Sequence, residues 1–363
     1  MSLLGTVSSG CRRRPAPPQP YLAFVANNQS DSVAVVNLGN FRVVATVAVA
    51  PAPVEVRVRP GTRELWVLSD SGKLTILQGP DLRVVATLPV NPHGRDLSFS
   101  PDGKQAYVLE PAEGQVIFFD GEARQELARI RQGTPLAHLA LTPDGKTLAA
   151  SAPAANKLYF LSTETRKLLG SLEVGKGPGP MVALPDSSKL FVADTEEEKV
   201  SAVEIATRRL LSHIELGARP TALALKPDGG EIFVLSAPAT TLMIVDAFHD
   251  NVEQSLPTGR EPVAGVFRRD SSLLYLANAG DGSVMALDVA NRVTLASIPV
   301  GTEPRALALT PDERFLVVAD SAASSLAVLY ADRTNLSSGR SALVTTVPVG
   351  ARPVEVVIPG WLR

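Results

Sequence analysis

Short apolar runs separated by turn residues fill this chain from about residue 20 onward. The stretch "LALTPDGKTLAAS" at 139–151 has near copies: "LSFSPDGKQAYVL" at 97–109, "LALKPDGGEIFVL" at 223–235 and "LALTPDERFLVVA" at 307–319. Runs of about six residues rich in Val, Leu and Ile, several alternating apolar with small or polar positions, predict half-buried β-strands. The turn between two runs has a physical cause. Proline presets φ, aspartate bonds back to nearby backbone, and glycine takes the positive φ that tightens a hairpin.

Aligned on that turn, Pro101, Pro143, Pro185 and Pro227, then Arg269 in place of proline, then Pro311, recur every 42 residues. Pro60 lies 41 residues before the first and Pro359 lies 48 after the last. Four strands of about six residues with four connections of about four account for the period. In the unit 301–349 the strands are "RALALT", "FLVVAD", "SLAVLY" and "LVTTVPV". Motifs such as "GTP", "GARP", "GREP" and "GTEP" mark the crossing from one unit's last strand to the next unit's first. A four-stranded sheet repeated at this period buries both faces by radial stacking, and closing the ring removes exposed ends. The N-terminal "YLAFVANNQSDSVAVVNLGNFRVVATVAV" supplies three strands without a first, and the C-terminal "GARPVEVVIPGWLR" supplies a first strand alone. The expectation is an all-β, eight-bladed β-propeller of four-stranded antiparallel blades over 21–363, closed by a C-terminal inner strand. Seven blades is the alternative.

Composition narrows the picture. The chain has 363 residues, 45% apolar and 20% charged, enough for a packed core. Thirty-five basic against 37 acidic residues give a net charge of −2, which does not favour a nucleic-acid binder. No uninterrupted apolar run reaches the length that spans a bilayer. Cys11 is the single cysteine, so neither an internal disulfide nor a cysteine zinc cluster is available. Its context, "LLGTVSSGCRRRPAPPQP", resembles a bacterial lipoprotein signal followed by a Pro-rich tether. It departs from that pattern at Ser8 and in having no basic residue before the apolar part. Residues 1–20 are therefore read as signal and tether with Cys11 as lipidation candidate; an unlipidated tail with an exposed thiol is the alternative.

The segments "YLAFVANNQSDSVAVVNL" with "VVATVAV", and "GTEPRALALTPDERFLVVAD", resemble the YVTN-repeat propellers, the YncE-like and surface-layer proteins, over 21–363. The resemblance implies a propeller and says little about activity. Many such relatives have seven blades, and a related eight-bladed ring occurs in the haem-binding propellers of nitrite reductases. Propeller lactonases share the repeat style. Some YncE-like relatives are associated with single-stranded DNA, but neutral charge and 5% aromatics count against that here.

Motifs with chemistry of their own are missing: there is no His-Glu-x-x-His helix, Gly-x-Ser-x-Gly elbow or Cys-x-x-Cys-His haem attachment. "GSLEVGKG" imitates a phosphate loop but ends in glycine and precedes a strand. Equivalent positions across units are more informative. The one occupied by Ala306, between crossing loop and core, reads around the ring Glu355, Glu55, Asp96, His138, Pro180, Ala222, Ala264 and Ala306. Four polar residues thus fall on consecutive blades at the expected channel mouth, with His93 and Arg95 close by. Ion pairing with Arg57, Arg95 or Arg352 is the first reading of these groups. A divalent-cation site of Glu55, Asp96, His138 and Glu355 is the second, and acid–base catalysis the third. Lys176, Arg219, Arg260, Arg305 and Arg352 ride on the crossing loops, against Glu261 and Glu303, and a basic arc opposite an acidic one suits an anionic or zwitterionic ligand. His213 and His249 are expected at or near the outer strands and connections, and Trp66 and Trp361 in inner-hairpin packing. The segment 331–342, "ADRTNLSSGRSA", lengthens one outer hairpin and marks a candidate contact surface.

The functional expectation is a non-enzymatic, monomeric propeller of the bacterial cell envelope, binding a protein or small molecule at the channel mouth. A lactonase-like hydrolase or a haem-binding propeller are the alternatives. The cofactor is unassigned beyond a possible divalent cation.

Overall fold

The computed structural model describes residues 21–79, 82–332 and 342–360. Cys11, Trp361 and residues 333–341 of the lengthened hairpin lie outside them. The described residues form eight four-stranded antiparallel sheets and no α-helix. Blade 1 is the clasp: its inner strand Pro353–Val357 pairs with Leu22–Asn27, followed outward by Ser32–Asn37 and Arg42–Ala48. Phe24 faces Val357 and Ala26 faces Glu355 across that seam. The inner strands of blades 2 to 8 are Pro53–Val58, Arg95–Phe99, Leu139–Leu141, Pro178–Ala183, Ala222–Leu225, Pro262–Phe267 and Pro304–Leu309. The eight-bladed expectation holds, and the strand bounds of the last full blade agree with the runs read from sequence.

Each turn is built as its residues require. The Asp102 carboxylate accepts from the Ser100 hydroxyl at 2.7 Å and the Lys104 N–H at 3.0 Å, while Gly103 takes φ 68°. These bonds hold the Asp102 carboxyl below its usual range, the Ser100 hydroxyl first. Where glycine is absent the left-handed φ persists on Ser187, Ser271 and Glu313, because the aspartate before each still fixes the turn. Arg269 replaces proline without changing it.

The core is divided as the ring demands. Eight clusters of buried apolar side chains lie one between each pair of neighbouring blades. Period-two alternation along each middle strand sends successive side chains to opposite neighbours. Ala23 and Val25 pack with Val317, Ala319 and Leu326 of blade 8, whereas Phe24 and Ala26 pack with Val56, Leu65 and Val67 of blade 2. Trp66 is fully buried in the second strand of blade 2, edge-on to Phe99 of blade 3. Outer strands bury little, and Val44, Val84 and Leu168 stand about half exposed. Stability therefore rests on the contacts between blades, which makes the inner seam where strands converge the place to look for structure and function together.

Candidate functional site

The four polar positions do converge. Each carboxylate leans from its own inner strand onto the backbone of the next blade. Glu355 of blade 1 accepts a hydrogen bond from the Val56 N–H of blade 2 and pairs with the Arg57 guanidinium. Arg57 also lies 3.6 Å from Glu55. Glu55 spans to blade 3, one oxygen accepting from the Asp96 N–H at 2.7 Å and the other from the Leu97 N–H at 2.9 Å. Asp96 reaches blade 4, where it accepts from the Leu139 N–H at 2.7 Å, and the His138 Nδ1 lies 3.6 Å from the same oxygen. A carboxylate ladder thus ties blades 1 to 4 at their innermost edge.

Local backbone explains the fit. Asp96 takes φ 53°, so its own N–H and that of Leu97 face the same way and form a concavity suited to an anion. At the residue after each polar position the register keeps the N–H turned away from the second strand. Val56 faces Val67 and Leu139 faces Ala150 across the pair, yet both donate to the preceding blade's carboxylate. Burial pushes the Glu55 carboxyl up to about 7; Arg57 pulls it down, the Asp96 and Glu355 charges add to the rise, and the Asp96 N–H opposes it. Burial raises Glu355 too, against the pull of Arg57.

Other expected residues fall elsewhere. His93 and Arg95 turn to Asp70 of blade 2, at 3.6 and 3.1 Å, rather than to the ladder. Arg260 is held by Asp281 at 2.6 Å and Arg305 pairs with Glu303. Arg219 and Arg352 are exposed and have no ion-pair partner among the described residues. Lys176 is exposed, its backbone N–H on Glu197 at 3.2 Å, and Glu261 takes φ 51° in its crossing loop. His213 lies on the outermost strand of blade 5, and His249, in an outer turn of blade 6, bonds Asp246 at 2.9 Å. Among the described residues no three His, Cys, Asp or Glu side chains are grouped to hold a metal ion. Glu355, Glu55 and Asp96 each reach the next blade, and His138 stands beside Asp96 at the end of that chain.

One group escaped the sequence reading. Asp194 ends the second strand of blade 5, is fully buried, and is pushed up to about 7, chiefly by burial. Its Oδ2 accepts from the Ser201 hydroxyl at 2.8 Å, while its Oδ1 has no hydrogen-bond partner. Ser201 lies 3.1 Å from the His213 Nδ1, beside a cleft of about 480 Å³ that His213, Lys199 and Glu197 line. This is no catalytic triad: the serine donates straight to the aspartate, and the imidazole does not stand between them. Comparing the last residue of every second strand would have found it, since those positions read Asn27, Ser69, Glu110, Ala152, Asp194, Ser236, Asn278 and Asp320, all buried and nearly all polar.

Architecture defines the class: an eight-bladed β-propeller. No family model matches the chain, and no curated protein does. Among solved structures, "Dihydro-heme d1 dehydrogenase NirN in complex with DHE" superposes with a TM-score of 0.79 at 14% identity, over 95% of this chain and 77% of that one. A functionally unknown protein from Desulfotomaculum acetoxidans DSM 771 covers 93% of this chain and 98% of its own, with a TM-score of 0.58 at 12% identity. Kuenenia stuttgartiensis hydrazine synthase gives the same TM-score at 16% identity over 71% of this chain and 87% of its own. At these identities the likeness is one of fold.

Proposed function

We propose that this chain is a non-enzymatic binding propeller that receives a ligand at the channel mouth and works in the bacterial cell envelope, with lipidation at Cys11 as the anchor. Engagement of the polar groups carries the reading. Both Glu55 oxygens hold backbone N–H groups, Glu355 is tied to Arg57 and Val56, and the Asp96 oxygen beside His138 already holds Leu139. A lactonase-like mechanism needs an acid or base that is free to exchange its proton at a substrate atom. Blades 5 to 8, by contrast, offer Pro180, Ala222, Ala264 and Ala306 with unpaired Arg219 nearby in sequence, which suits recognition. A lactone-hydrolysis assay on the wild type and His138→Ala tests this. Background rates in both are expected, and turnover that His138→Ala abolishes would overturn it.

The haem-binding reading has one specific support, the extent of the match to a propeller solved with DHE. His138 is 43% exposed at the mouth and offers an imidazole, and Arg219 and Arg352 suit carboxylates on such a group. An iron porphyrin would bring ligand-binding and redox chemistry; the chain's share would be to hold and orient it. Reconstitution giving a Soret band that shifts in His138→Ala would favour this reading, and a spectrum equal to that of free haem would end it.

A further inference from the structure

The ladder stops at blade 4, but the backbone that receives it does not. The residue after each ladder position keeps the same place in the sheet in every blade but the third, where a register shift between Arg95 and Ser98 takes in Asp96 and Leu97. Met181 faces Val192, Leu223 faces Val234, Gly265 faces Leu276 and Leu307 faces Val318, as Val56 faces Val67 and Leu139 faces Ala150. Blade 6 repeats blade 4 in detail: the Thr221 N–H bonds the Leu235 carbonyl as the Ala137 N–H bonds that of Ser151. The N–H groups of Met181, Leu223, Gly265 and Leu307 therefore point to the channel edge, as those of Val56 and Leu139 do. In front of them stand His138, Pro180, Ala222 and Ala264, none of which brings a carboxylate. None of the four residues is buried: Gly265 is exposed and the other three are half-buried.

We propose that the channel mouth of blades 5 to 8 is a binding site for a small organic polycarboxylate, whose carboxylates take the Leu223, Gly265 and Leu307 N–H groups as Glu55 and Asp96 take those of blades 3 and 4. The molecule itself shows that this backbone position binds carboxylates, at 2.7 to 2.9 Å, wherever a side chain supplies one. A carboxylate reaching from one blade's edge to the next is the spacing that Glu55 already spans. Two or more such groups on one ligand would bridge consecutive blades. Arg219, four residues before Leu223 and unpaired among the described residues, adds charge without a competing partner. The inference rests on the binding-scaffold reading and sharpens it to a ligand class.

Citrate is the probe, titrated into the full chain against sodium chloride at matched ionic strength. The amide resonances of Leu223, Gly265 and Leu307 should shift with citrate and not with chloride, and the melting temperature should rise by about 3 °C at a citrate concentration well above Kd. In Ala222→Glu the new carboxylate should occupy the Gly265 N–H and weaken citrate binding at least about tenfold. Arg219→Ser, an exposed change that leaves the sheet alone, should weaken it about threefold and serves if the first variant folds poorly. Undisturbed amides in the wild type, or full citrate affinity in Arg219→Ser and in folded Ala222→Glu, would overturn the inference. A different molecule retained in native mass spectra alongside a null citrate titration would overturn this ligand class and leave the binding reading standing.

Discussion

Blades 1 to 4 and blades 5 to 8 share one four-stranded plan, and at one inner-strand position the two halves differ in kind. On the first half that position carries Glu355, Glu55, Asp96 and His138, and side-chain oxygens fasten each inner strand to the next. On the second half it carries proline and alanines, so no carboxylate joins the inner strands at that position; apolar packing and ion pairs farther out, such as Lys189–Asp250 and Arg268–Glu313, join the sheets. The fold tolerates both, so the ladder is not what makes a propeller. It fills the inward backbone donors of one half of the rim with carboxylates, and the other half has no carboxylate at that position.

Removing the ladder's middle rung should have the largest effect. Glu55→Ala strands the Asp96 and Leu97 N–H groups and frees Arg57 from one partner, costing about 2–3 kcal/mol by chemical denaturation. Glu55→Gln, which keeps one acceptor but turns its NH2 toward the second N–H, should lose less than Glu55→Ala, about 1–2 kcal/mol. Equal losses for the two would show that the side chain merely packs.

Proton linkage comes next, with one buried carboxyl in each half. Glu55 and Asp194 are both pushed up to about 7 from ordinary values of 4.5 and 3.8. A raised folded-state carboxyl pKa means that the folded chain binds protons more tightly than the unfolded one. Stability should then fall as pH rises from about 4 to about 7 and level off above that. Melting points at pH 5.5 should exceed those at pH 8. Asp194→Asn should remove part of the slope and gain about 1 kcal/mol at pH 8, because asparagine already fills the equivalent places at 27 and 278. A flat profile for the wild type would refute the linkage.

The smallest effect belongs to the open half. Ala264→Ser and Ala306→Ser should each change stability by less than about 0.5 kcal/mol, since neither residue bridges blades through a hydrogen bond. A loss comparable to that of Glu55→Ala would erase the distinction between the halves.

The ring was legible in the sequence because it is repeated: eight near-copies of one turn fix the period, and the unmatched strands at the two ends fix the closure. The convergence of Glu355, Glu55, Asp96 and His138 was legible for the same reason, since equivalent positions in a closed ring must meet. What a side chain does there was not. That Glu55 reaches across to two consecutive N–H groups depends on the left-handed turn at Asp96, which a sequence with aspartate at that place does not announce. The pairing of His93 and Arg95 with Asp70 was hidden likewise, because it joins a crossing loop to the preceding blade's hairpin turn at positions that vary from blade to blade. Asp194 was missed because buried polar residues at strand ends look like ordinary turn residues until burial is known.

Amide hydrogen exchange read residue by residue tests the central claim most directly, that side-chain carboxylates occupy the inward backbone donors of one half of the rim and leave those of the other half free. Val56, Leu97 and Leu139 should exchange slowly, and Leu223, Gly265 and Leu307 faster by about a hundredfold or more in the same molecule. Equal protection on both sides, or slower exchange at Gly265 than at Leu97, would contradict the account.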